Sequence, residues 1–309
     1  MQESLSRAVV TGGTGLIGKR LCKKLAGPVV LARDPDGARA KLVGIPDLVT
    51  LPWADDRLFP PGALDAADVV FHLAGEAVAA GRFTDERKRV VKESRVRGTR
   101  NVVASLAAVP AASRPKVLIA ASATGFYGDR GDEVLTEKSA RGDDFLAEVC
   151  EAWEEEAAKA ESLGVRVVSA RIGIVLDEAG GAIRTMKPAF KLGIAGRLAS
   201  GRQWMPWIHS ADVVDILLFL AQSNVCRGPI NVAAPGVVTN AEFTRTYAAV
   251  LRRPAFLPVP RFALKIIYGD LADSVLASQR TDAHALTDAG YTFRYPELEP
   301  ALRALDAGP

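Results

Sequence analysis

The sequence predicts an α/β fold: a doubly wound parallel sheet with helices on both faces and a smaller, interleaved C-terminal lobe. Three observations carry that expectation. Short apolar runs alternate with segments of helical periodicity. A glycine-rich turn, TGGTGLIG at 11–18, joins the first run to the first helix. After about residue 175 the alternation loosens into glycine-rich loops, and Pro254, Pro258 and Pro260 mark a further change of texture. The expected division is a dinucleotide-binding domain over 1–250, carrying a substrate-lobe insertion at about 176–208, and a C-terminal domain over 251–309.

The elements follow in order. AVV (8–10) is a short apolar strand, and LIGKRLCKKLA continues it with helical spacing. PVVLA (28–32), LVTL (48–51) and DVVFHLA (68–74) read as further strands. A long helical stretch covers about 84–107, then KVLIAAS (116–122) reads as a buried strand. FLAEVCEAWEEEA (145–157) is an acidic helix whose stripe of Leu146, Val149, Cys150, Trp153 and Ala157 should face the sheet. VRVVSARI (165–172) follows as a strand. Helix-length connections between strands imply right-handed crossovers and parallel neighbours.

Composition narrows the function classes. The chain has 309 residues, 49% of them hydrophobic, enough for one large core with an appendage. Thirty-nine basic against 36 acidic residues leave a net charge of +3. That sum argues for neither a nucleic-acid nor a membrane partner. The basic run at 86–100 is interspersed with acids and reads as a solvated helix face. Cys22, Cys150 and Cys226 lie far apart without a C-x-x-C pair, so buried free thiols are expected, and no metal site. The polar start MQESLSR and the short apolar stretch 213–222, which contains Asp215, lead to an expected cytoplasmic protein.

Phosphate chemistry explains the glycine turn. Gly12, Gly15 and Gly18 let the backbone turn sharply and approach a pyrophosphate, whose charge meets free N–H groups at a helix start. Thr14, Leu16 and Ile17 belong to the same cradle. The second strand runs into Arg33 and Asp34. An arginine there suits the 2′-phosphate of NADP, and an acid suits the ribose hydroxyl of NAD; Arg33 stands first, so NADP is expected, with NAD as the alternative. Asp34 could instead pair with a neighbouring arginine. Leu73, Ala74 and Gly75, at the carboxyl end of a strand, leave room for a ribose, and Glu76 and Arg82 follow in the same loop. Ser122, ending the fifth strand, is assigned to the same ligand.

The motifs TGGTGLIG, HLAG, SATGFYG (122–128) and WIHSAD (207–212) resemble the extended short-chain dehydrogenase/reductases, the NAD-dependent epimerase/dehydratase group. LAGE, CEAWEEEA (150–157), SGRQWMPWIH (200–209), RPAFLPVP (253–260) and GYTFRYPELEPAL (290–302) resemble more closely an atypical branch, the epimerase family proteins, whose substrate is unsettled. The resemblance spans essentially the whole chain. It implies a Rossmann fold and an NAD(P)-dependent reaction. It also exposes departures: Ala123 stands where the wider superfamily has serine or threonine, and Leu146 and Cys150 stand where it has its tyrosine and lysine.

Other groups must then move any proton. Tyr127 and His209 are the candidates, each with a structural alternative: core packing for the phenol, and a place just before a helix capped by Ser210 for the imidazole. Lys187, Arg202, Gln203 and Trp207 lie in a stretch whose aromatic plates and cations suit an anionic or sugar-like substrate, or equally a self-packed lid. The expected function is an NADP-binding oxidoreductase or epimerase-like enzyme acting on an unidentified small molecule, with homodimer formation left open. The rival is a redox sensor or scaffold that holds the dinucleotide without turning it over.

Overall fold

The computed structural model describes residues 7–78 and 83–306. Seven parallel strands form the central sheet: β1 (Ala8–Thr11), β2 (Val29–Ala32), β3 (Val49–Pro52), β4 (Val69–His72), β5 (Val117–Ala123), β6 (Arg166–Ile172) and β7 (Gly228–Val232). Their spatial order is β7-β6-β5-β4-β1-β2-β3. The order reverses between β1 and β4, which opens a crevice beyond their carboxyl ends. Register there pairs Thr11 with His72.

Both faces of the sheet are covered, so its strands read as continuous apolar runs. Val10, Phe71, Ile119 and Val168 point to one face, where Leu21, Ile216 and Leu217 pack on them. Their neighbours Val9, Val70, Leu118 and Val167 point to the other, against Val102 and Leu106. The covering helices are α1 (Leu16–Cys22), α2 (Pro35–Lys41), α3 (Asp85–Ala107), α4 (Phe145–Ala158) and α6 (Ser210–Gln222), while α5 (Gly181–Lys191) belongs to a separate core. β7 was not expected from the sequence. Its Gly228-Pro229 start disguises it, and proline is tolerated because this is an edge strand.

A further core lies beyond the sheet. It joins Leu176, Phe190 and Trp207 to residues of α7 (Asn240–Leu251) and α11 (Leu298–Asp306). This core runs across the boundary expected at 250/251, because Phe243 and Tyr247 of α7 pack with Leu298 and Leu302 of α11. Between them lie α8 (Arg261–Tyr268), α9 (Leu271–Val275) and α10 (His284–Asp288). Among the described residues no helix is long and apolar enough to cross a membrane.

In α4, Asp144 accepts a hydrogen bond from Ala147 N at 2.9 Å and starts the helix. Ala147, Val149, Cys150, Trp153 and Ala157 are buried as a stripe. Leu146 departs from expectation: it joins Phe83, Phe145 and Tyr268 in a small separate cluster.

Candidate functional site

The crevice at the sheet's switch point is a cleft of about 410 Å³. Gly12, Thr14 and Gly15 form one wall, Ala32 and Arg33 another, and Leu73 to Glu76 a third. The three glycines do different jobs. Gly12 has φ +72°, and a Cβ there would lie 2.6 Å from the Leu73 carbonyl carbon, so only glycine lets the β1 and β4 ends touch. A Cβ on Gly18 would meet Gly12 O at 2.2 Å, which makes it a packing glycine between turn and helix. Gly15 has ordinary extended torsions, and a Cβ would meet only Gly12 O, at 3.2 Å. A side chain there would strain the turn less than one at Gly12 or Gly18, and would stand on the cleft wall. No side chain caps α1, so the amides of its first turn are left for an incoming anion. Leu16 and Ile17 offer backbone alone. The Leu16 side chain packs at Gly180, and Ile17 packs on the core.

Arg33 stands at the cleft edge, 78% exposed, and its Nη1 donates to Glu76 Oε1 at 3.1 Å. Glu76 also lies 3.7 Å from the Arg87 guanidinium. Asp34 turns away from this site. Its carboxylate accepts from Gly37 N at 3.0 Å and caps α2. Arg82 lies outside the described residues.

Beneath the cleft runs a polar chain that the sequence did not reveal. Thr11 Oγ1 lies 2.7 Å from His72 Nδ1, and His72 Nε2 lies 3.0 Å from Thr99 Oγ1. Burial holds the His72 pKa down at about 4, so the ring is neutral. Thr11 Oγ1 also accepts from Ala74 N at 3.3 Å, and so fixes the start of the ligand loop. Arg95, on α3, donates to Glu76 O at 3.0 Å, and its guanidinium carbon would lie 3.4 Å from a Cβ on Gly75. Trp53, Ser94 and Arg97 complete the wall. The basic run at 86–100 therefore has two kinds of residue. Arg89 pairs with Glu86 and Glu93 on a solvated face, as expected, while Arg97 lines the cleft and pairs with Asp55 at 2.9 Å.

The expected catalytic groups are corrected by their surroundings. Tyr127 is fully buried. Its hydroxyl donates to Asn231 Oδ1 at 2.6 Å, accepts from Arg171 Nη1 at 3.0 Å and lies 3.0 Å from Thr136 O. Burial pushes its pKa up to about 12 despite Arg171. A phenol so enclosed is a structural node, with no face left for a substrate. Ser122 is also removed from the cleft: its hydroxyl donates to Glu154 Oε1 at 2.6 Å, and Glu154 is held by Arg171 at 2.8 and 2.9 Å. Leu146 and Cys150 are the α4 side chains nearest Gly125, at 3.7 and 4.0 Å from a Cβ placed there. Burial pushes the Cys150 thiol up to about 12, with the Glu154 charge adding to it.

His209 caps α6. Its Nδ1 accepts from Ala211 N at 3.1 Å, so the capping role expected of Ser210 falls one residue earlier. Its ring lies 4.1 Å from that of Tyr295, and burial lowers its pKa. Next to it, buried Asp212 accepts from Tyr291 Oη (3.0 Å), Arg294 N (2.7 Å) and Tyr295 N (2.9 Å).

The expected substrate wall divides as well. Trp207 is fully buried and donates to Gly236 O at 2.8 Å; Gln203 donates to Leu198 O at 3.2 Å; Lys187 pairs with Asp306 at 3.1 Å. These three hold the lobe together, whereas Arg202 is exposed and forms no ion pair among the described residues. Among the described residues no group of three or more His, Cys, Asp or Glu side chains could hold a metal ion.

Comparison with known proteins agrees with this geometry. Residues 8–233 match the family model described as NAD dependent epimerase/dehydratase family, and residues 259–305 match a domain of unknown function, DUF1731. The chain is 37% identical over 308 residues to the chloroplastic epimerase family protein SDR39U1 homolog of Arabidopsis thaliana, covering 98% of this chain and 88% of that one. It is 34% identical to the epimerase family protein YfhF of Bacillus subtilis, covering 96% and 97%. Among solved structures, human epimerase family protein SDR39U1 (isoform 2) with NADPH superposes with a TM-score of 0.85 at 28% identity, covering 98% and 99% of the two chains. With its glycine turn, its switch-point cleft and these relatives along nearly its full length, the chain belongs to the NAD-dependent epimerase/dehydratase family, in the branch of epimerase family proteins.

Proposed function

We propose that the chain is an NADP-dependent oxidoreductase or epimerase-like enzyme acting on a small molecule. The observation that carries the cofactor choice is Arg33. It is the first residue past β2, lines the cleft and is largely exposed, where a 2′-phosphate would replace or share its contact with Glu76. The NADPH in the human relative supports the same choice. The residues present fit the group: Gly15 leaves open the space a pyrophosphate needs, and Leu73 to Gly75 bring backbone to the ribose side. When bound, NADP supplies or accepts a hydride at its nicotinamide. The chain's part is to hold the cofactor against the loop fixed by Thr11 and His72.

Replacing Arg33 with alanine should weaken NADPH binding about 10- to 100-fold, from a charge-assisted contact of about 1.5–3 kcal/mol. NADH affinity should change little. Fluorescence titration measures both, and equal losses would move the 2′-phosphate away from Arg33, with Arg97 next in line.

A second reading is favoured by a specific observation. Tyr127 is sealed, and the α4 positions over Gly125 carry a leucine and a thiol with a pKa of about 12. A protein that holds the dinucleotide without turnover needs nothing more. Continuous monitoring of NADPH oxidation across a library of carbonyl and sugar substrates separates the two. Sustained oxidation supports the enzyme, and saturable binding with none supports the sensor or scaffold.

A further inference from the structure

The overall charge of +3 conceals an uneven distribution. From 179 to 211 the chain carries five basic residues (Arg184, Lys187, Lys191, Arg197, Arg202) and no acidic one. From 243 to 269 it again carries five (Arg245, Arg252, Arg253, Arg261, Lys265) and no acid. The fold lays these segments side by side: Leu257 N donates to Ala195 O at 3.3 Å, and Val259 N to Arg197 O at 2.9 Å. Among the described residues two carboxylates form ion pairs with them, Asp306 with Lys187, and Asp273 with Arg261 and Lys265.

The same segments expose large apolar side chains. Leu192, Ile194, Phe256, Phe262, Ile266 and Ile267 are each between 55% and 73% exposed. Phe262 and Ile266 are one turn apart on α8, while Leu264 on that helix is buried and anchors it. An open depression of about 560 Å³ is lined by Arg197, Arg245, Arg253 and Phe256, with no carboxylate among its described lining residues.

Exposed aliphatic groups among clustered, mostly unpaired cations match the chemistry of an anionic bilayer surface: acyl chains below, headgroup phosphates above. A second copy of this chain fits poorly, since a twofold contact would set cations against cations. Nucleic acid would find few ring faces on which to stack bases. We propose that this lobe docks on an anionic phospholipid surface through residues 192–194 and α8, with the arginine depression taking headgroup phosphates. The site is separate from the dinucleotide cleft, and the expectation of no membrane partner rested on the summed charge and on the want of a spanning segment, neither of which addresses a surface patch.

The test is co-sedimentation of the full chain with vesicles of phosphatidylcholine alone, or with 30% phosphatidylglycerol, in about 0.1 M salt. Pelleting is expected with the anionic vesicles only, and should weaken at about 0.5 M salt. A cation at such a surface contributes about fivefold, the equivalent of about 1 kcal/mol. Lys191→Ala with Arg253→Ala should therefore weaken binding at least tenfold, and Phe262→Ser with Ile266→Ser should do the same at unchanged charge. Unchanged melting temperature and NADPH affinity will show that both double variants are folded; a double variant that fails this check is replaced by its two single substitutions. No pelleting, or equal pelleting with neutral vesicles, overturns the proposal. So does a dimer in light scattering that Phe262→Ser with Ile266→Ser dissolves, which would assign the face to a second copy.

Discussion

The buried imidazole of His72 ties stability of the cofactor loop to pH. Its pKa is about 4 in the folded chain against an ordinary 6.5. The unfolded chain therefore binds the proton more readily, so stability is full above about pH 6.5 and is lost as pH falls towards 4. The complete effect is about 3 kcal/mol, of which about 2 kcal/mol falls between pH 7.5 and 5.0, above the range where most carboxylates titrate. His209 is lowered by burial too and acts in the same direction, so the wild-type curve alone would not isolate His72. His72→Gln keeps a neutral side chain able to bond both threonine hydroxyls and cannot ionise. Urea unfolding of both proteins at the two pH values gives the comparison. The wild type should lose about 2 kcal/mol more than the variant on acidification. Equal losses, within about 0.5 kcal/mol, would mean that His72 is hydrated or already charged, and the chain from Thr11 to Thr99 would need another account.

The remaining expectations separate ligand binding from packing. Gly15→Val should abolish NADPH binding measured by calorimetry, with a smaller loss of stability than a side chain at Gly18 causes. Gly18→Ala should instead destabilise by about 1–3 kcal/mol, because its Cβ would press on Gly12 backbone. Tyr127→Phe should cost about 1–3 kcal/mol by leaving Asn231 Oδ1 and Arg171 Nη1 short of a partner, with NADPH affinity intact; lost affinity without lost stability would return the phenol to the active site. Trp153→Ala should cost about 3 kcal/mol in urea unfolding, at the low end for a buried indole because its Nε1 has no hydrogen-bond partner among the described residues.

What was legible in the sequence was local. The glycine turn, the strand leading into Leu73 and the position of Arg33 are read from a few adjacent residues whose periodicity and torsional needs are self-contained. The stripe on α4 was legible for the same reason, except for Leu146, whose neighbour Phe83 comes from a distant loop. For Tyr127 the choice between proton donor and core packing stayed open because its partners Asn231 and Arg171 lie 104 and 44 residues away. No spacing rule announces that a phenol will be enclosed by them. Trp207 and Gln203 looked like a ligand wall because aromatic and amide groups serve walls and cores alike, and only the fold decides between them. His72 went unnoticed as a functional residue because a histidine inside an apolar strand is silent until its two threonines are brought alongside.

Asp212 has a consequence for how this chain can be altered. Its buried carboxylate belongs to α6 of the main sheet, yet two of its donors are backbone amides of Arg294 and Tyr295. Those amides are present whatever side chains the tail carries, so the clasp tolerates drift in sequence but not loss of the segment. Cutting the tail away would take two amide donors from this carboxylate, a loss of about 1–3 kcal/mol. The region matched as a domain of unknown function is thus no portable module: a graft that moved it without Asp212, or kept Asp212 without it, would break the host and the guest together.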